Sequence, residues 1–212
     1  MSQPVRLIGF EHSVYTRVAR IALAEKGVAV DFGAHDPFRG QGVENPHPFG
    51  RVPVLCHGDF EIYETAAITA YVDAAFEGAD LMPDAPHAVA RVEQVVGMVD
   101  AYVYWPLVRQ VHSHGAFRPA MGEGGDAEIV AEGLRAAPGV LAALEAVAVE
   151  GLGLGARFTR ADCHLAPMIW AFVQVAEGAE MLRRYPALSA WWARVEARAS
   201  IRMTEVALPS RS

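Results

Sequence analysis

Apolar and polar residues follow different periods in the two halves of the chain. Near the start, residues 5–10 predict a strand, and residues 14–26 carry Val14, Val18, Ile21 and Ala22 at helical spacing. Gly27 is typical of a helix end, and residues 28–32 predict a second strand. This order predicts a β-α-β unit.

A hairpin and a second helix are predicted next. Residues 36–50 are rich in glycine and proline and are predicted to be mainly loop, with one short helical turn. Two apolar runs, 52–56 and 60–63, flank a Gly-Asp pair that suits a tight turn. Thr65 is a residue type that caps helices, and the apolar positions after it predict a helix.

The second half contains only helical periods. Residues 77–87, EGADLMPDAPH, have the glycine, proline and acidic content of a linker. Beyond it, helices are predicted around four apolar segments, which are the stripe from Val92 to Leu107 and residues 130–149, 160–175 and 187–199. The sequence therefore predicts an α/β domain over residues 1–77 and an all-α domain over residues 88–212.

Composition excludes several classes of protein. The chain has 212 residues, of which 52% are hydrophobic, so it can bury a large core. A net charge of −7 argues against nucleic acid as a partner, and no apolar stretch approaches the length of a membrane span. The only cysteines, Cys56 and Cys163, predict neither a disulfide framework nor a metal cluster, and they fit a cytoplasmic location.

This order of elements resembles the glutathione transferase family, in particular its bacterial, serine-type members. Five segments carry the resemblance in the family's order, namely SVYTRVARIALAEKGV, HPFGRVPVL, YETAAITAYV, FTRADCHLAPMI and YPALSAWWARVEARASI. The resemblance spans nearly the whole chain. It implies a thioredoxin-like first domain, a helical second domain, glutathione as co-substrate and a homodimer.

The Val52-Pro53 dipeptide stands where a strand should begin, although proline has no N–H to donate. X-Pro is the one peptide bond for which the cis form costs little, about 0.5 to 1 kcal/mol, and we expect Pro53 to be cis. The resemblance implies that the N–H and C=O of Val52 then pair with the cysteinyl backbone of glutathione. An ordinary edge-strand proline is the alternative.

Glu64 and Thr65 stand at the predicted start of a helix, where free N–H groups favour an anion. The resemblance implies that Thr65 binds the γ-glutamyl carboxylate of glutathione and that Glu64 binds its ammonium group. The family usually has serine at the threonine position, and a plain helix cap is the alternative. Arg51 is the candidate for the glycine carboxylate, with His47 and Arg39 as weaker candidates.

Ser13 is the catalytic candidate. A free thiol has a pKa of about 8.5, and one hydrogen bond to the charged sulfur, about 1.5 to 3 kcal/mol, lowers that pKa by about one to two units. Ser13 lies between the first strand and the first helix, where its hydroxyl and the helix dipole can favour a thiolate. Tyr15 and Thr16 are alternatives, and a purely structural cap at Ser13 is another.

The neighbours of Ser13 depart from the family pattern. Phe10 stands where tyrosine-type enzymes carry their hydroxyl, and no cysteine is present for thiol-disulfide exchange. His12 precedes Ser13, and Val14 replaces a proline common in bacterial members.

A second-substrate pocket is predicted on the helix that follows the linker. Its candidate residues lie opposite the apolar stripe and are Tyr102, Trp105, Arg109 and His112. Packing between helices is the alternative for half of them. We expect Pro106 to kink or break this helix, and His112 and His114 to be surface residues that bind no metal.

The T-x-x-D pattern at Thr159 and Asp162 predicts a capping box, with Phe158 packed on a buried Cys163. This feature is structural.

Three functional hypotheses follow. The first is a transferase that adds the glutathione thiolate to a small electrophile. The second is an isomerase, lyase or dehalogenase that uses the same thiolate. The third is a non-catalytic protein of this fold that binds a protein partner. Retention on immobilised glutathione distinguishes the first two from the third.

Overall fold

The chain divides into two compact units. A computed structural model describes residues 3–209. Among the described residues, the first unit extends to Leu81 and includes Met203–Val206, and the second comprises Met82–Arg202 and residues 207–209. The domain boundaries at residues 77 and 88 stay a prediction.

The first unit is a mixed sheet with helices. Its elements are β1 (Val5–Gly9), α1 (Val14–Glu25), β2 (Asp31–Asp36), β3 (Gln41–Gly42), β4 (Val54–His57), β5 (Phe60–Tyr63) and α2 (Thr65–Ala75). The strand order is β3-β2-β1-β4-β5, with β1 and β2 parallel and the other neighbours antiparallel. This α/β topology confirms the predicted thioredoxin-like fold.

The register places the ends of four strands along one edge of this sheet. Gly9 pairs with Ala34, Ile8 pairs with Val54, and Val54 pairs with Tyr63. The chain therefore leaves β1, β2 and β5, and enters β4, at the same end of the strands, here called the sheet edge. Ligands of sheets with parallel strands bind at the carboxyl ends of those strands.

Two local predictions were wrong. The second strand begins at Asp31 and not at Val28, because the Val28 N–H donates to the Leu23 carbonyl (2.9 Å) and closes the end of α1. Thr65 is the first helical residue of α2, and Glu64 occupies the cap position. Residues 36–50 are mainly loop, as predicted, and also contain β3, a two-residue strand that no periodicity could reveal.

The predicted apolar face of α1 is buried, including Val18, Ile21 and Ala22. At the end of that helix, the ammonium of the buried Lys26 lies 3.0 Å from the Asp73 carboxylate and donates to the Ala79 carbonyl at 3.2 Å. Asp73 also accepts from the Leu81 N–H at 2.8 Å. A buried ion pair thus joins α1 to α2 and to the chain that follows α2.

The second unit is helical, as predicted. Its elements are α3 (Pro86–Met98), a π-helical segment called π1 (Val99–Phe117), α4 (Arg118–Met121), α5 (Ala127–Glu150), α6 (Arg160–Val173), α7 (Ala176–Leu182) and α8 (Pro186–Glu196). A short helix, α9 (Ala199–Met203), spans the end of this unit. Pro106 lies inside π1 and does not break the chain of helical turns. Within residues 3–209, no helix is both long and apolar enough to cross a membrane.

The predicted capping box at the start of α6 is present. The Asp162 carboxylate accepts from the Thr159 N–H (2.6 Å) and, in addition, from the indole N–H of the buried Trp191 (2.6 Å). Cys163 is fully buried, as predicted, and the Phe158 ring lies 4.3 Å from the Arg198 guanidinium carbon. Asp162 therefore joins α6 to α8 as well as capping α6.

Candidate functional site

Ser13 occupies the N-cap of α1. Its backbone is extended, its N–H donates to the Phe10 carbonyl (2.9 Å), and its hydroxyl oxygen accepts from the Thr16 N–H (3.3 Å). Capping uses a lone pair of this oxygen and leaves the hydroxyl proton available to donate. The structural and catalytic hypotheses for Ser13 are therefore compatible.

Thr16 has a structural position. Its side chain is fully buried, and its hydroxyl oxygen accepts from the Phe10 N–H at 3.2 Å, which pins the loop between β1 and α1. Tyr15 is half-buried on the same helical turn and remains the alternative to Ser13.

Val52 and Pro53 lie at the same edge of the sheet as Ser13. The peptide bond between them is cis, as expected, and the strand begins only at Val54. Within residues 3–209, no backbone hydrogen bond involves the N–H or the C=O of Val52. Pro53 is buried, and Val52 is half-buried.

Glu64 has an unusual backbone. Its φ of 68° is the only positive value for a non-glycine residue in the described part of the chain, and its side chain is exposed and makes no capping hydrogen bond. Such conformations cost about 1 to 3 kcal/mol and are concentrated at binding sites. Thr65 follows as the buried first residue of α2, so its N–H is one of the free donors of that helix end.

His47 links the candidate residues of this edge. Its ring lies 4.7 Å from the Tyr63 ring, and its Nδ1 accepts from the Phe49 N–H (3.1 Å). Burial lowers the pKa of His47, the Glu64 carboxylate opposes this shift, and the Arg51 guanidinium adds to it. The charges of Arg51 and Glu64 thus act on one imidazole. Arg51 is exposed, and its carbonyl accepts from the Asn45 side chain at 2.9 Å.

Arg39 follows β2. Its guanidinium is 3.9 Å from the Asp36 carboxylate, across one turn of the chain. Its role toward the glycine carboxylate stays a prediction.

A cavity of about 310 Å³ opens at this sheet edge, on the side of β2 and β3. It is lined by Gly9, Phe10, Glu11, His12, Ala34, His35, Asp36, Gln41 and Gly42. Its wall includes the residues directly before Ser13. Sequence reasoning missed Glu11, His35 and Asp36, although residues that follow two parallel strands converge at one edge.

The predicted second-substrate residues separate into two groups. Tyr102 and Trp105 are 65% and 60% exposed, and Arg109 is also exposed. His112 is buried, with its ring 5.9 Å from that of Trp170, so its predicted surface position was wrong. The reason is its location where π1 packs on α6, which the sequence alone did not reveal. Within residues 3–209, no group of three His, Cys, Asp or Glu side chains is placed to hold a metal ion.

Comparisons with known proteins identify the family. The glutathione S-transferase N-terminal domain matches residues 7–80, and the C-terminal domain of the same family matches residues 104–199. Glutathione S-transferase 3 of Zea mays is 30% identical over 217 residues, which cover 97% of this chain and 95% of that protein. The chain belongs to the glutathione S-transferase family.

Further relatives agree with this assignment. Glutathione S-transferase F10 of Arabidopsis thaliana is 29% identical over 86% of this chain and 87% of that protein. The structure of a theta class glutathione S-transferase from Xanthomonas axonopodis pv. citri with glutathione bound superposes with a TM-score of 0.80, at 26% identity, over 97% of this chain and 99% of that one. Family membership identifies a transferase with glutathione as co-substrate and leaves its electrophile open.

Proposed function

We propose that this glutathione S-transferase binds glutathione along the sheet edge formed by Ser13, Val52 and Glu64, and adds its thiolate to a small electrophile. The observation that carries the proposal is the register, because it brings the ends of β1, β4 and β5 to one edge. Three residues distant in the sequence thereby present complementary groups to one ligand. These are a hydroxyl, an unpaired backbone amide and a carboxylate.

Each part of glutathione has a partner along this edge. The backbone of Val52 pairs with the cysteinyl residue as one strand pairs with another. Thr65, at the positive end of α2, binds the γ-glutamyl carboxylate, and Glu64 binds the ammonium group. Arg51 binds the glycine carboxylate. Pro53 forms the floor beside Val52.

Ser13 stabilises the charged sulfur. Its hydroxyl proton donates to the thiolate while its oxygen remains the cap of α1, and the dipole of α1 favours the negative charge. The thiol proton passes to solvent. The sulfur then forms a bond to the electrophilic carbon. In a substitution, the leaving group departs with the electron pair of its broken bond; in an addition, the electron pair of the broken π bond moves onto the acceptor group, which takes a proton from solvent.

We propose a second-substrate pocket on π1, with Tyr102, Trp105 and Arg109 as its contacts, since each of these side chains is exposed. We propose in addition a homodimer, supported by the exposed Phe38 and Phe49 of the first unit. A cytoplasmic location is proposed because, within the described chain, Cys56 and Cys163 form no disulfide bond.

Two measurements test the proposed function. We expect the protein to be retained on immobilised glutathione and to conjugate glutathione to an activated aryl halide. Retention without conjugation, isomerisation or dehalogenation would favour a binding protein. Absence of retention would refute the glutathione site itself.

A further inference from the structure

The cavity beside Ser13 has a charge character that the proposed reaction does not explain. Its wall contains two carboxylates, Glu11 and Asp36, and two imidazoles, His12 and His35, but no lysine or arginine. Arg20 and Arg39 lie near these carboxylates, although neither belongs to the wall. The inner surface therefore offers more negative than positive charge to a ligand.

The orientation of His35 adds an acceptor to this wall. Its Nδ1 lies 2.9 Å from the Val43 carbonyl oxygen, and a carbonyl can only accept, so Nδ1 carries a proton. In the neutral ring, Nε2 then holds the lone pair. His12, in edge-to-face contact with Phe10 at 5.5 Å, adds no charge near neutral pH, because burial lowers its pKa. The cavity is thus rich in acceptors.

Asp36 keeps a fixed position in the wall. Its Oδ1 accepts from the N–H groups of Phe38 (2.8 Å) and Arg39 (3.2 Å), which orders the turn after β2. Glu11 is exposed and follows the end of β1 in the same wall. A ligand group that enters the cavity therefore meets carboxylates that come from the ends of two strands.

We propose that this cavity selects electrophiles that carry a cationic nitrogen or an N–H donor, and that it disfavours electrophiles that carry a carboxylate. Glu11, Asp36 and His35 are the specificity-determining residues. The inference rests on the proposed function, because only a sulfur held beside Ser13 brings its reaction partner to the residues that precede Ser13.

The test uses three S-substituted glutathiones with the same benzyl frame, one unsubstituted, one with a para-ammoniomethyl group and one with a para-carboxylate. Calorimetry gives their dissociation constants without any catalytic step. We expect the ammoniomethyl compound to bind on the order of ten-fold more tightly than the carboxylate, since two unit charges near the wall act through a water-rich dielectric.

Two matched double variants locate the cause. Glu11→Gln/Asp36→Asn removes two charges and keeps the turn, because the asparagine carbonyl accepts the same N–H groups. In this variant, the ammoniomethyl compound should bind at most about three-fold more tightly than the carboxylate compound. Asp59→Asn/Glu61→Gln makes the same change in net charge at the hairpin end of the sheet and should leave the preference intact.

The outcomes are distinct. The inference would be overturned if the wild type bound the ammoniomethyl and carboxylate compounds equally well, or if Glu11→Gln/Asp36→Asn kept the wild-type ratio of their dissociation constants. Either result would leave the proposed function standing. Failure of all three compounds to bind the wild type would overturn both.

Discussion

Loss of the Asp162 carboxylate should destabilise the second unit more than the loss of a helix cap alone. A lost cap costs about 1 kcal/mol, which is the value that the sequence pattern suggests. In the structure, Asp162→Ala also leaves the N–H groups of Trp191 and Thr159 buried without an acceptor. Each unsatisfied buried donor costs about 1 to 3 kcal/mol, so we expect a total loss of about 2 to 6 kcal/mol.

The same carboxyl makes the stability depend on pH. Burial raises the pKa of Asp162 to about 6, and the hydrogen bonds from Trp191 and Thr159 only partly oppose this shift. Between the ordinary and the raised pKa, the folded state binds more protons than the unfolded state, so its stability decreases as pH rises. Relative to Asp162→Asn, which does not titrate, the wild type should lose about 1 kcal/mol between about pH 5 and pH 7.

The assay is urea unfolding of wild type, Asp162→Ala and Asp162→Asn at several pH values, with glutathione affinity measured beside it. Affinity should be nearly unchanged, because Asp162 belongs to the second unit and the proposed glutathione residues belong to the first. A loss below about 1 kcal/mol for Asp162→Ala would refute the role of the Trp191 hydrogen bond. A wild-type stability that increases toward neutral pH relative to Asp162→Asn would refute the raised pKa.

Three further predictions concern the first unit and the assembly. Lys26→Met should cost about 3 to 5 kcal/mol in urea unfolding, because it removes the cation that pairs with the largely buried Asp73 carboxylate, and Lys26→Met/Asp73→Asn should recover part of that loss. Glu64→Gly should weaken glutathione binding and yet stabilise the fold by about 1 kcal/mol, since glycine adopts a positive φ without strain; equal or lower stability would contradict this. Light scattering should show a homodimer at micromolar concentration, and a monomer would refute that proposal.

Local sequence patterns predicted most of the fold because the elements concerned are determined by residues close in the sequence. The apolar face of α1, the hairpin of β4 and β5 and the capping box at Asp162 each depend on residues close in the sequence. Contacts between segments distant in the sequence could not be predicted from these patterns. The hydrogen bond from Trp191 to Asp162 and the burial of His112 depend on how helices pack together.

The candidate site shows the same division. Ser13, Val52 and Glu64 are recognisable from their neighbours in the sequence, since each stands at the start of a helix or strand. The strained backbone of Glu64 and the cavity with His35 became visible only in three dimensions. They depend on the register of the sheet, which periodicity does not specify.

In the proposed function, Ser13 holds bound glutathione as a thiolate. The most direct test is the thiolate absorbance of the glutathione complex, titrated against pH in wild type, Ser13→Ala, Tyr15→Phe and Thr16→Val. We predict that Ser13→Ala raises the pKa of the bound thiol by about one to two units and leaves glutathione affinity at low pH nearly unchanged. A titration that Tyr15→Phe shifts and Ser13→Ala does not, or a wild-type thiol with the pKa of free glutathione, would contradict the account.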